Sequence, residues 1–197
     1  MNNMGRGYAI LSWLNGHHIR PTRGCEVGVR FGRLSAFLLE RLPTLHLTMV
    51  DPWAEVAQDH PARLSAQAWA LQTQSDLDQV CRRAMAGTDF AKDRRCVIRR
   101  PSPEAAADVE DGSLDFAFVD GDHLYEPCLA DLVAWWPKIK PGGCLCGDDW
   151  ENPLGMGQPN EWGVGQAVRK FCEMNGLAYV LAEPNGDSQT WYIGKPG

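Results

Sequence analysis

Short apolar runs alternate along the chain with stretches in which apolar residues recur at helical spacing. Seven runs read as strands: Cys25 to Val29, Leu45 to Val50, Cys96 to Ile98, Leu114 to Val119, Gly143 to Cys146, Leu177 to Leu181 and Thr190 to Ile193. Between them the periodicity predicts helices over Leu34 to Arg41, within Ala62 to Met85, and over Pro103 to Val109, Tyr125 to Trp136 and Trp162 to Asn175. Strands and helices in alternation predict a parallel sheet covered on both faces. The last two runs are separated only by a short stretch with Pro184 and Asn185-Gly186, which reads as a hairpin turn. The fold expected is therefore α/β: a Rossmann-like, doubly wound, seven-stranded sheet whose last strand is antiparallel and lies reversed at the edge. Two segments stand outside this scheme. Residues 1–20 contain YAILSWLNGHHIR, a helix expected to lie over the domain, and residues 151–163 form a Gly- and Pro-rich stretch expected to be a flexible loop or lid.

A chain of 197 residues fits one domain, and no repeat or linker divides it. With 19 basic against 25 acidic residues the net charge is −6, which offers no footprint for nucleic acid or an anionic membrane. A small molecule is the partner expected, and the sequence leaves room for a homo-oligomer. No apolar run reaches the ~20 residues of a membrane span and no signal-peptide pattern opens the chain, so a cytoplasmic protein is expected. The seven cysteines are scattered and mostly in apolar segments, as reduced buried thiols would be. Cys144 and Cys146 form a C-x-C without a second pair, which suits one face of a strand better than zinc.

In open α/β sheets the ligand lies beyond the carboxyl ends of the strands, and the first strand-to-helix turn carries the glycines. Gly28 and Gly32 occupy that turn. A dinucleotide fingerprint needs a middle glycine where this chain has Arg30, and no phosphate-binding P-loop is present. The turn suits a ligand without phosphates. Asp51, at the end of the second strand, can accept two ribose hydroxyls. Glu26 could hold the glycine loop or meet a cationic group on the ligand.

The stretch LDFAFVDGDHLYEPCLADLVAWWPKIKPGGCLCGDDW covers two strand ends. Asp120, Asp122 and His123 follow the fourth strand and Asp148 and Asp149 the fifth, all at the edge that carries Gly28 and Asp51. Carboxylates gathered there repel one another unless a cation neutralises them, and oxygen ligands suit a hard ion such as magnesium. Taken singly, Asp122 is an ordinary helix cap and Asp148-Asp149 an ordinary loop start.

The pattern Glu26-x-Gly28-x-x-x-Gly32 with Asp51 resembles the first two motifs of class I S-adenosylmethionine-dependent methyltransferases. The D-G-D-H-x-Y-E block, K-P-G-G and D-D resemble the group called methyltransferase domain 24, and more distantly the magnesium-dependent macrolide-sugar O-methyltransferases and the cephalosporin-pathway enzymes. The likeness runs from about Gly24 to about Asn175; Trp150 departs from it, standing where relatives often have tyrosine. It implies a single methyltransferase domain over residues 1–197 with S-adenosyl-L-methionine as cofactor, contacted by Glu26, Gly28, Gly32, Ser35, Asp51, Trp53, Ser102 and Asp120. It implies Mg2+ on Asp120, Asp148 and Asp149, and catalytic roles for Asp120 and for His123 or Asp122 as base. Ser102 reads equally well as a helix cap, and Trp53 as packing. Trp150 and Trp162 are candidate walls of an acceptor pocket; Trp135 and Trp136 read as core and surface, and His17 and His18 as a solvated turn.

The function expected is transfer of a methyl group to a hydroxyl of a small molecule with metal assistance. A metal-independent methyltransferase, a non-catalytic S-adenosylmethionine-binding protein and, opposed by Arg30, an NAD-dependent oxidoreductase are the alternatives.

Overall fold

The computed structural model describes residues 4–60, 70–150, 163–183 and 189–197. Among them are seven strands: β1 (Arg23–Val27), β2 (His46–Val50), β3 (Arg95–Ile98), β4 (Leu114–Val119), β5 (Ile139–Gly147), β6 (Val180–Leu181) and β7 (Trp191–Gly194). They form one sheet in the order β3-β2-β1-β4-β5-β7-β6. β1 through β5 pair in parallel, while β7 runs antiparallel to both β5 and β6. The last strand is thus reversed as the sequence suggests, but it is one place in from the edge, because β7 inserts beside β5 and leaves the two-residue β6 outside. The Asn185-Gly186 turn lies outside the described residues.

The helices are α1 (Met4–Gly16), α2 (Arg33–Arg41), α3 (Gln74–Gly87), α4 (Ser102–Ala105), α5 (Tyr125–Trp135) and α6 (Val164–Asn175). Alternation along each strand sends side chains to two separate cores. On one face Cys25, Val27, Ala117, Val119, Leu145 and Ile193 pack under α4, α5 and α6. On the other, Leu47, Met49, Phe116, Phe118, Cys144, Cys146 and Tyr192 pack under α1, α2 and α3. Cys144 and Cys146 therefore share one buried face of β5, as the strand reading of C-x-C requires, and all seven cysteines are free thiols.

α1 packs into the core beside α2. Ile10 and Leu14 are buried, Gly7 lies against the Phe37 ring where a Cβ would overlap it, and the Trp13 ring stacks on Tyr192 of β7 at 4.5 Å. This seating carries the amino-terminal turn of α1 to the carboxyl ends of β4 and β5. Among the described residues no helix is long and apolar enough to cross a membrane.

Candidate active site

The order β2-β1-β4-β5 brings four strand ends side by side, and the site grows from their turns. Gly28, at φ 88°, donates its N–H to the Val50 carbonyl at 2.8 Å, and a Cβ there would overlap the Asp120 carbonyl. The turn after β1 and the turn after β4 are thus in contact, which only glycine permits. Gly32, at φ 70°, starts α2. Glu26 points to the α2 side of β1, 2% exposed, and accepts a hydrogen bond from the Ser35 hydroxyl. Burial pushes its pKa up to about 8; the Ser35 bond and the Arg6 charge pull against the rise, and Asp120 and Asp51 add to it.

Asp51 accepts the backbone N–H of Arg30 at 2.8 Å and of Trp53 at 2.7 Å. Burial raises its pKa, with those two bonds opposing. The Trp53 indole donates to the Arg30 carbonyl at 2.9 Å and the ring is 1% exposed, so this residue locks the two turns together from within the core. Arg30 and Trp53 both hold left-handed backbone, at φ 48° and 39°. Non-glycine residues rarely do so, and such strain concentrates at functional sites. Ser102 opens α4, accepting the Trp135 indole N–H at 2.8 Å and bonding the buried Asp131 carboxyl.

The acidic half lies across β4 and β5. Asp149, also left-handed at φ 58°, places Oδ2 3.2 Å from His123 Nε2, and Asp120 Oδ1 is 3.7 Å from the same nitrogen. Ligand atoms of Asp120, His123 and Asp149 lie within 4.8 Å of one another. Asp148 is buried: its carboxylate meets the Thr190 hydroxyl at 3.4 Å and the Arg6 Nε at 3.0 Å. Arg6 also pairs with Asp120 through Nη1. Burial lowers the His123 pKa, but the bond to Asp120 and the charges of Asp149, Asp120 and Asp122 outweigh it, and the net direction is upward. Asp149 rises to about 6, first through burial and then through Asp120 and Asp148, against the pull of His123 and Arg6.

Asp122 stands apart from this group. One oxygen caps the Leu124 N–H at 2.9 Å and the other meets His60 Nε2 at 2.9 Å. Arg6 and His60 are the two residues the sequence reading did not single out. Arg6 had a signal of a sort, as the one cation at the start of a helix expected to cover an acidic edge; His60, in the connection after β2, had none. Trp150 is buried, its ring 4.7 Å from Tyr179 with the Arg169 guanidinium over it, and so packs in the core. Trp135 is buried and Trp136 half-buried. His17 and His18 sit at the far end of α1, about 16 Å along the helix axis from Arg6. Trp162 and most of the 151–163 loop lie outside the described residues.

The family model for methyltransferase domain 24, described as a methyltransferase domain, matches residues 25–150, from β1 through the acid pair. The chain belongs to that family. A curated relative, the uncharacterised protein y4gI of Sinorhizobium fredii, is 29% identical over 173 residues, covering 84% of this chain but 18% of that protein. The chain thus spans less than a fifth of the relative's length. Among solved structures, cofactor-bound Rv0187 from MTB superposes with a TM-score of 0.68 at 16% identity, covering 100% of this chain and 82% of the other. An O-methyltransferase from Bacillus cereus in complex with SAH gives 0.63 at 14% identity, over 99% and 82%. The O-methyltransferase TomG from Streptomyces achromogenes, in complex with SAM, gives 0.61 at 16%, over 99% and 82%. These likenesses establish the methyltransferase fold.

Proposed function

We propose that this methyltransferase domain moves the methyl group of S-adenosylmethionine to a hydroxyl oxygen of a small molecule, with His123 as general base. The observation that carries this reading is the position of His123 between Asp120 and Asp149, in a turn that touches the glycine turn at Gly28. The ribose hydroxyls would bond Asp51, whose oxygens are fixed by the Arg30 and Trp53 amides. The acceptor oxygen attacks the methyl carbon in line; the carbon–sulfur bond breaks and its electron pair stays on sulfur. The hydroxyl proton passes to His123, and Asp149 and Asp120 stabilise the imidazolium that forms. Because its pKa is raised, His123 takes up a proton more readily but must first be neutral, so the rate should climb with pH above the ordinary histidine range.

A divalent ion would supply Lewis-acid activation of the acceptor hydroxyl. The set expected from the sequence, Asp120, Asp148 and Asp149, fits poorly with Arg6 in place, since the guanidinium holds two of the three. A second, metal-assisted reading rests on the grouping of Asp120, His123 and Asp149. That donor set includes one imidazole nitrogen, which favours a transition ion over magnesium and removes His123 as base.

The test is calorimetric titration with S-adenosylmethionine, its demethylated product and NAD, followed by product release in the presence of hydroxylated acceptors. Binding of the sulfonium cofactor, and turnover lost in His123→Ala with binding intact, is the expected result. Binding of NAD alone would remove the methyltransferase reading.

A further inference from the structure

We infer that Arg6 is the built-in counter-cation of the carboxylate cluster, occupying the gap between β4 and β5 that a divalent ion would bridge, so that Arg6 and such an ion exclude one another. The inference stands apart from methyl transfer, because it concerns what the acidic edge binds and can be read from metal binding alone.

One guanidinium spans carboxylates from the ends of two adjacent strands, Nη1 on Asp120 and Nε on Asp148 at 3.0 Å. Planar, forked donors at two angles are what arginine offers and lysine does not. The side chain is 21% exposed and Asp148 side-chain atoms only 1%, so this is no loose surface pair. Nor is it an arm free to drift, because Gly7, Ile10 and Trp13 fix α1 against Phe37, the core and Tyr192. Asp149 and Glu26 add their fields to those of Asp120 and Asp148, and together they raise the Arg6 pKa against its own burial. Adding a divalent ion while keeping Arg6 would set two cations against the same Asp120 carboxylate. Entry of the ion therefore requires Arg6 to leave, and α1 is packed so as to keep it there.

Manganese titration, followed by the electron paramagnetic resonance signal of the free ion, tests this on the full chain. The wild type should bind no stoichiometric Mn2+ at submillimolar concentration. Arg6→Met, similar in length and uncharged, should bind one equivalent at least roughly tenfold more tightly, as expected when a competing cation is removed. Arg6→Lys, which keeps the charge but not the fork, should gain less than Arg6→Met, and Arg6→Met with Asp149→Asn should lose the gain. One tightly bound Mn2+ on the wild type would overturn the inference whether or not the variants fold. So would a folded Arg6→Met chain, judged by circular dichroism, that binds no better than wild type. Failure of methyl transfer in every assay would leave these outcomes readable, since no acceptor or cofactor enters the measurement.

Discussion

Strand β4 carries a carboxylate at each end, and the two ends treat them in opposite ways. Asp115, at the amino end, is buried and matched: it accepts the N–H of Thr22 at 2.7 Å and of Arg23 at 2.9 Å, the Thr22 hydroxyl at 3.2 Å, and pairs with Lys140. Burial alone would raise its pKa, yet these partners carry it below the usual range. Asp120, at the carboxyl end, shares Arg6 with Asp148 and His123 with Asp149. Three acids divide two cations there, and burial, with the charges of Asp120 and Asp148 added, carries Asp149 up to about 6. The first end is satisfied and holds the fold; the second is crowded, shares its counter-charges and is left-handed at Asp149.

The sharpest way to break this contrast is to remove one group at each end. His123→Ala should lower turnover by ~10²–10⁴-fold, the range of a positioned general base, with little change in melting temperature. Steady-state kinetics beside calorimetric melting checks it; a large loss of stability with kcat untouched would make His123 a structural residue.

Asp115→Asn should do the reverse. It leaves Lys140 without its partner and replaces an acceptor of three bonds by a weaker one, at a cost of about 3 kcal/mol, reduced from the full penalty because Lys140 is 41% exposed. Urea denaturation should show the loss, while kcat of the folded fraction stays near wild type.

The same contrast explains what could be read from the chain. The seven strands and the edge that gathers Gly28, Asp51, Asp120 and Asp149 follow from local pattern, since apolar alternation fixes strands and strand ends fix turns. The place of β7 did not follow, because inserting beside β5 rather than beyond β6 is decided by long-range pairing of Leu145 with Ile193 and Cys146 with Tyr192. Gly28, Gly32 and Asp51, expected to face the cofactor, lie in one turn and its neighbour, where spacing alone groups them. The acidic half depends on Arg6, over a hundred positions from Asp120, and on His60 reaching Asp122 across the edge. No spacing rule carries such contacts. Trp53 and Trp150 carry no such signal, because an aromatic beside an acid has the same sequence signature whether it faces a ligand or the core, and both rings are buried.

Glu26 extends the comparison to β1, as a buried acid with one hydroxyl partner instead of four contacts. Its folded pKa is raised to about 8, above the unfolded value of about 4.5. The folded state therefore holds the proton longer than the unfolded one. Stability from this group is full below about pH 4.5 and is lost as pH rises to about 8, at up to roughly 1.4 kcal/mol per unit. Glu26→Gln keeps the Ser35 bond and removes the titration. Thermal melts at pH 5.5 and 8 should show the wild type losing more stability over that interval than the variant. Equal slopes would mean that Glu26 is ionised in the fold and balanced by Arg6.

The smallest effect belongs to Asp51, the acid that is neither fully matched like Asp115 nor crowded like Asp120. Two of its acceptor positions are filled by the Arg30 and Trp53 amides, at 2.8 and 2.7 Å, which leaves the remaining lone pairs for the cofactor's ribose. In Asp51→Asn one oxygen can still accept an amide, but the new NH2 group meets the other N–H with a donor. The turn must therefore shift slightly, and charge-assisted bonds to the ribose become neutral ones of about half the strength. The net loss should be near 1.4 kcal/mol, or about tenfold in the Kd for S-adenosylmethionine, with kcat at saturating cofactor little changed. Titration calorimetry with the cofactor and with its demethylated product should give the same ratio for both, since the two share the ribose. Unequal ratios would place Asp51 near the sulfonium instead, and an unchanged Kd would leave it only the task of tying the glycine turn to β2.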